Sequence, residues 1–209
     1  MGDVYIVDYQ MGNLRSVQKA LEKVGATAHI TDDPALARRA DKLVLPGVGA
    51  FEDAMVALRS RGLDQAVREF VATGRPFLGI CLGLQLLFDE GFEDGRHQGL
   101  GLLGGQCVAL KENLTGPDGR RLKVPHMGWN GLDVARRSPI LEGYPEGAQV
   151  YFVHSYAVEP ADESVVSTRT DYGLPFVSSV WRDNIMATQF HPEKSQQVGL
   201  RMLRNFVNL

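Results

Sequence analysis

"RPFLGICLGLQLLFDEG", Arg75 to Gly91, sets a cysteine between two glycines, each two residues away, where one apolar run ends and another begins. Read as a strand, "PFLGIC" (Pro76 to Cys81), followed at once by a helix, "LGLQLLFDEG", it demands a sharp turn at Cys81. A turn that tight leaves little room for side chains around it, and Gly79 and Gly83 supply that room.

On either side of this stretch the pattern alternates in the same way. "DVYIVDY" (Asp3 to Tyr9) is a β-rich run, and "GNLRSVQKALEKVG" follows with Leu14, Val17, Ala20, Leu21 and Val24 at helical spacing. Asn13 suits the N-cap of that helix and Gly25 its end. "ATAHI" and "KLVLPG" (Lys42 to Gly47) are further strands; helices are expected from about Phe51 and over "LDQAVREFVATG". Strands alternating with helices give right-handed βαβ units and a parallel sheet covered on both faces.

After Gly91 the rhythm changes. "QCVAL", "RLKVP", "QVYFVHSYAV", "SVVSTRT", "PFVSSVWR" and "NIMATQF" are expected as strands joined by turns such as Pro117-Asp118-Gly119 and Asp183-Asn184. A last helix, "QQVGLRMLRNFVNL", follows. The expectation is an α/β fold over 1–209 as one domain, a doubly wound mixed sheet with antiparallel additions in the second half. Ligands in such sheets bind beyond the carboxyl ends of the strands. Gly47 to Gly49, Cys81 and His191 all stand at expected strand ends.

Composition narrows the classes of function. Hydrophobic residues are 44% and charged residues 22%, ordinary for a globular protein, and the net charge of −3 gives no pull toward nucleic acid or anionic lipid. Two cysteines are too few for a disulfide framework and fit a reducing compartment. "MGDVYIVDYQ" lacks a signal-peptide pattern, and no apolar run reaches spanning length, so a cytoplasmic protein is expected. No cluster of ligating side chains at metal spacing appears, and no cofactor is implied.

The cysteine turn carries chemistry of its own. It exposes the side chain above the sheet and puts sulfur at a helix N-terminus, where unpaired N–H groups favour thiolate. The Leu82 N–H then points at the oxygen of a carbonyl under attack. A lone cysteine is more often a small buried hydrophobe, and Cys107, unframed in "GGQCVAL", is read that way. A nucleophilic thiol needs a base. Among five histidines, His191 in "ATQFHPEKS" stands at the active end of an apolar strand. Pro192 biases it to extended backbone, and residues two apart in an extended chain share a side, which places Glu193 beside the imidazole. Cys81, His191 and Glu193 thus read as nucleophile, base and orienter. "VLPGVGAF" adds a loop in which Gly47 and Gly49 let backbone approach a ligand closely, with Val48 or Gly49 as a second oxyanion donor. Gln85, one helical turn after Cys81, can look into the same pocket.

"PGVGAF", "GICLGLQLLF" and "FHPEKS", in that order, resemble the class I (triad) glutamine amidotransferases, and the resemblance spans nearly the whole chain. It implies a flavodoxin-like core, hydrolysis of glutamine to glutamate and ammonia, a glutamyl thioester on Cys81 and proton shuttling by His191. "DYQMGNLRSV", "KVPHMGWN" (Lys123 to Asn130) and "YFVHSY" (Tyr151 to Tyr156) are similar to one branch of that family. Its members pass the ammonia to a (β/α)8 cyclase partner, as a heterodimer, in histidine biosynthesis. The resemblance places Asn13, Trp129, Tyr151 and Lys194 at that junction and Ser155 and Tyr156 near bound glutamine. The glutaminase of another class I amidotransferase is the alternative, and "KVPHMGWN" argues against it.

Overall fold

The computed structural model describes residues 2–116 and 119–209. The expected Pro117-Asp118-Gly119 turn therefore lies partly outside the described residues. The strands are β1 (Val4–Val7), β2 (Ala28–Thr31), β3 (Lys42–Gly47), β4 (Phe77–Cys81), β5 (Phe88–Gly91), β6 (His97–Gln98) and β7 (Leu103–Ala109). They continue as β8 (His126–Gly131), β9 (Asp133–Val134), β10 (Gln149–His154), β11 (Tyr156–Pro160), β12 (Val166–Asp171), β13 (Pro175–Arg182) and β14 (Ile185–Thr188). The helices are α1 (Leu14–Lys23), α2 (Pro34–Arg39), α3 (Phe51–Ser60), α4 (Leu63–Ala72), α5 (Leu82–Gln85) and α6 (Gln196–Val207).

One large sheet runs β2-β1-β3-β4-β14-β13-β11-β7-β5-β6, with β12 and β9 attached along β13. The first five strands of that order are mutually parallel. Antiparallel pairs β14–β13, β13–β11 and β11–β7 extend it. This is the expected doubly wound mixed sheet with antiparallel additions. β8 and β10 form a separate antiparallel ribbon.

Side-chain alternation explains why both faces are covered. In β3, Leu43 and Leu45 enter one apolar layer and Val44 the other; in β4, Phe77 enters the first and Leu78 and Ile80 the second. The first layer receives Ala37, Met55, Leu58, Val67 and Phe70 from α2, α3 and α4. The second receives Val17 and Leu21 from α1 and Met202, Leu203 and Phe206 from α6. Every residue of β3 and β4 is buried, as central parallel strands require. Asn13 caps α1, its Oδ1 accepting from the Ser16 N–H at 3.4 Å.

Several expectations are corrected. The helix expected through Gly91 ends at Gln85, and Phe88–Gly91 is a strand. The Leu86 carbonyl accepts from Leu100 N–H, and the Leu87 carbonyl from Leu102 and Leu103, so tertiary pairing captures the chain. Residues 82–88 are all buried, and an apolar run without a polar face carries no period to separate helix from strand. "RLKVP" is no strand: it is largely exposed, makes one isolated bridge from Arg121 to Thr115, and Pro125 has no N–H to give. "QVYFVHSYAV" is two strands broken at Ser155, one in the ribbon and one in the sheet. Helix α2, with Pro34 in its first turn and the Asp33 carboxylate capping Ala35 N–H at 2.7 Å, was not expected.

Candidate active site

β3, β4 and β14 lie side by side, and their carboxyl ends converge. Gly47 is paired in register with Cys81, and Ile80 with Thr188, three residues before His191. The turn at Cys81 has φ 55° and ψ −110°, a conformation L-residues rarely hold. The framing glycines permit it by close approach. A Cβ at Gly83 would lie 1.8 Å from the Leu45 carbonyl oxygen, and one at Gly79 would lie 2.9 Å from the Gly83 oxygen and 3.0 Å from the Ala187 methyl. The short helix therefore beds directly on the backbone of β3, and the turn is wedged between two strands.

His191 leaves its strand extended, at φ −98° and ψ 97°. Its Nδ1 stands 2.8 Å from Glu193 Oε1, and both side chains are almost wholly buried. The contact differs from its expected origin: residues 192–194 form a 3-10 turn, and that turn rather than a continued strand folds the carboxylate back onto the ring. The carboxylate fixes the proton on Nδ1, leaving Nε2, buried and otherwise unpartnered, free to face the Cys81 sulfur. Burial opposes charge on the ring, but the hydrogen bonds and charges of Cys81 and Glu193 outweigh it and raise the His191 pKa to about 9. Ser195 braces this turn. Its hydroxyl donates to the His191 carbonyl at 2.6 Å and accepts from the Tyr151 N–H at 3.0 Å.

A cavity of about 230 Å³ opens over the sulfur. Val48, Gly49, Leu82, Gln85, Ser155 and Tyr156, all singled out from the sequence, line it together with Cys81. Gly49 adopts φ 102°, and any side chain there would press on Met11. Gly47 faces a different space, a void of about 10 Å³ shared with Asn13, Val48, His191 and Glu193. Trp129, Tyr151 and Lys194 form a third group outside the cavity: the Trp129 and Tyr151 rings stand 5.9 Å apart, and the Lys194 ammonium 5.8 Å from the Tyr151 ring.

Sequence reasoning missed four residues here. Glu93 lines the cavity, but its Oε2 accepts from the Phe51 N–H at 2.7 Å, closing the start of α3, where Ala50 offers no side-chain cap. Val153 presents its carbonyl 3.8 Å from the sulfur. Gln189 lies against the sulfur from just past the end of β14, and Ser195 supports the turn. Only Gln189, two residues before His191, carried a local signal.

His126 and His154 hold each other, Nδ1 to Nε2, at 3.1 Å, and His154 Nδ1 stands 2.8 Å from the Tyr156 carbonyl. Burial, above all, pushes their pKa values down to about 4 and about 3. Among the described residues no group of three or more His, Cys, Asp or Glu is arranged to hold a metal. Cys107 is buried, and burial pushes its thiol pKa far up.

The family model "Glutamine amidotransferase class-I" matches residues 5–209. The chain is 59% identical to the imidazole glycerol phosphate synthase subunit HisH of Syntrophotalea carbinolica, over 97% of this chain and 98% of that one. It is 55% identical to the HisH subunit of Aquifex aeolicus, over 96% and 94%. Among solved structures it resembles a putative GMP synthase component from Thermoplasma acidophilum, with TM-score 0.74, 22% identity and coverage of 100% and 93%. It also resembles PurLQS from Thermotoga maritima, with TM-score 0.73, 19% identity and coverage of 100% and 99%.

Proposed function

The chain belongs to the class I glutamine amidotransferase family, and we infer that it is the glutaminase half of an imidazole glycerol phosphate synthase in histidine biosynthesis. It hydrolyses glutamine to glutamate and ammonia. The ammonia goes to a cyclase partner that makes imidazole glycerol phosphate and an aminoimidazole carboxamide ribonucleotide. The observation that carries this reading is full-length identity of 59% to a HisH subunit, against 22% to the GMP synthase relative, which speaks for the fold alone.

The site supports a specific course. Cys81 sulfur attacks the carboxamide carbon of glutamine while His191 Nε2 holds the thiol proton. Negative charge develops on the carboxamide oxygen, and the Leu82 N–H at the start of α5, with an N–H from Val48 or Gly49, receives it. The carboxamide nitrogen takes the proton from His191, collapse expels it as ammonia, and a glutamyl thioester remains. Water, activated by His191, hydrolyses the thioester and frees glutamate. Glu193 keeps the ring in the productive tautomer and stabilises the imidazolium. Gln85, Ser155 and Tyr156 border the space for the glutamine, while Gly47, outside that cavity, carries the chain into the Val48–Gly49 loop.

The partner is a cyclase of (β/α)8 fold, bound as a heterodimer in the cytoplasm. The β8–β10 ribbon suits that contact. Met127 and Trp129 project to one side of β8 and are 64% and 41% exposed, an apolar display beside Tyr151 and Lys194. Asn13, on the void next to His191, completes the junction. The test is glutamate release by the isolated chain and by the chain mixed with a cyclase subunit, with capture of that subunit by the tagged chain. A chain that hydrolyses no glutamine in either state overturns the reading.

A further inference from the structure

We propose that Gln189 is a positioning residue for the Cys81 thiolate, its side-chain N–H held on the sulfur by an amide relay whose polarity a backbone carbonyl dictates. Gln189 Nε2 lies 3.7 Å from Cys81 Sγ. An amide viewed alone could present either end, but this one cannot. The Tyr156 carbonyl only accepts, so Gln85 must turn its Nε2 toward it, at 3.1 Å. The same nitrogen stands 3.1 Å from Gln189 Oε1. Gln189 therefore gives oxygen to Gln85 and nitrogen to the sulfur. His154 Nδ1, 2.8 Å from that carbonyl, is a second donor to it and agrees with its accepting role. Gln189 is fully buried and Gln85 nearly so, which shields the relay from solvent.

The sulfur thus faces two opposed groups. The Val153 carbonyl, 3.8 Å away, accepts from the protonated thiol. The Gln189 N–H, beside the imidazole of His191, favours the anion. This deepens the reading of Cys81 as nucleophile and rests on it. It also gives Gln85 a task other than holding glutamine, since both of its amide hydrogens are engaged.

The experiment follows the sulfur without any glutamine. The pH dependence of iodoacetamide alkylation at Cys81, read by mass on the Cys81 peptide of the intact chain, is compared for wild type, Gln189→Met and Gln85→Met. Loss of the N–H should move half-maximal alkylation in Gln189→Met up by about one pH unit, a roughly tenfold smaller thiolate fraction at neutral pH. Gln85→Met, which frees Gln189 to turn, should move it the same way by less. In the complex with the cyclase subunit, kcat for glutamine should fall about tenfold in Gln189→Met with KM changed less than about twofold, a split that a generally loosened site would not give. An alkylation profile unchanged in Gln189→Met overturns the proposal. Should that variant not fold, an unchanged profile in Gln85→Met does so. Failure of the nucleophile reading is separable: Cys81→Ser would then retain glutaminase activity whatever the alkylation profiles are.

Discussion

The carbonyl oxygen of Leu45 occupies the place where a side chain on Gly83 would begin, 1.8 Å from a built Cβ. Backbone fills that space, so no rotamer change relieves the overlap. Gly83→Ala should destabilise the chain by about 3 kcal/mol or more, by pushing α5 off β3. Gly131, in the β8–β10 ribbon, has nothing within 4 Å of a built Cβ and serves as the contrast. Gly131→Ala should cost less than about 1 kcal/mol. Denaturant unfolding of the two variants measures the difference, and equal midpoints would contradict the wedge.

Cys81→Ser should fold, bind glutamine and lose nearly all glutaminase activity. The hydroxyl is a far weaker acid than the thiol, and a base matched to sulfur does not compensate. The complex containing this variant should still form product from ammonium salts, because cyclisation lies in the partner. Glutamine hydrolysis within about tenfold of wild type would remove Cys81 from its role.

His191→Ala should cost more than Glu193→Gln, by roughly 10- to 100-fold in kcat, because the carboxylate only stabilises a charge that the ring itself carries. The pH profile gives a second check. The His191 pKa is raised to about 9, so the imidazolium that protonates the departing nitrogen persists until pH approaches that value. Activity should fall as pH rises through about 9. Glu193→Gln removes a charge that raises this pKa, so the alkaline limb should move toward neutral pH. A limb that stays in place would show that another group sets it.

The isolated chain should be a poor glutaminase that the liganded partner switches on. Val48 is 41% exposed and is followed by Gly49 at φ 102°, so rotation of the intervening peptide is inexpensive. One oxyanion donor turned away costs roughly 10²–10³ in rate. The partner needs only to favour the turned-in state by differential contact, through Asn13 or Lys194. Val48→Pro removes a candidate donor, and stimulation by the partner and its acceptor ligand should then collapse. A free chain as fast as the liganded complex would end this account.

Acid should loosen the ribbon that borders the site. His126 and His154 are held neutral, with pKa values lowered to about 4 and about 3. The unfolded chain binds protons at these histidines from about pH 6.5 downward while the folded chain resists, so their contribution is intact above about 6.5 and is lost as pH falls toward 4. His126→Gln should lower stability at neutral pH, since it gives up stacking on Tyr172 and Phe152, yet flatten the decline between pH 6.5 and 4. Unfolding free energies across that range test the slope.

Local sequence carried the alternating half of the fold, because amphipathic periods and caps are local: Val17, Ala20 and Leu21 on α1 or Asn13 before it needed no partner to be legible. It also carried Cys81 between its glycines and His191 with Glu193 two residues on, since a strained turn and a buried ion pair both leave short-range marks. Three-dimensional packing decided the rest. Leu86 to Phe88 became the way into a strand because the 100–103 segment supplied donors for their carbonyls, and a uniformly apolar run holds no record of that competition. Ser155 splits an apparently continuous strand because its two halves pair with different sheets. Gln189 and Val153 reach the sulfur from 108 and 72 positions away and Ser195 reaches Tyr151 across 44, and only the packing of β4 beside β14 and of the β8–β10 ribbon over their ends brings such separations within hydrogen-bond range.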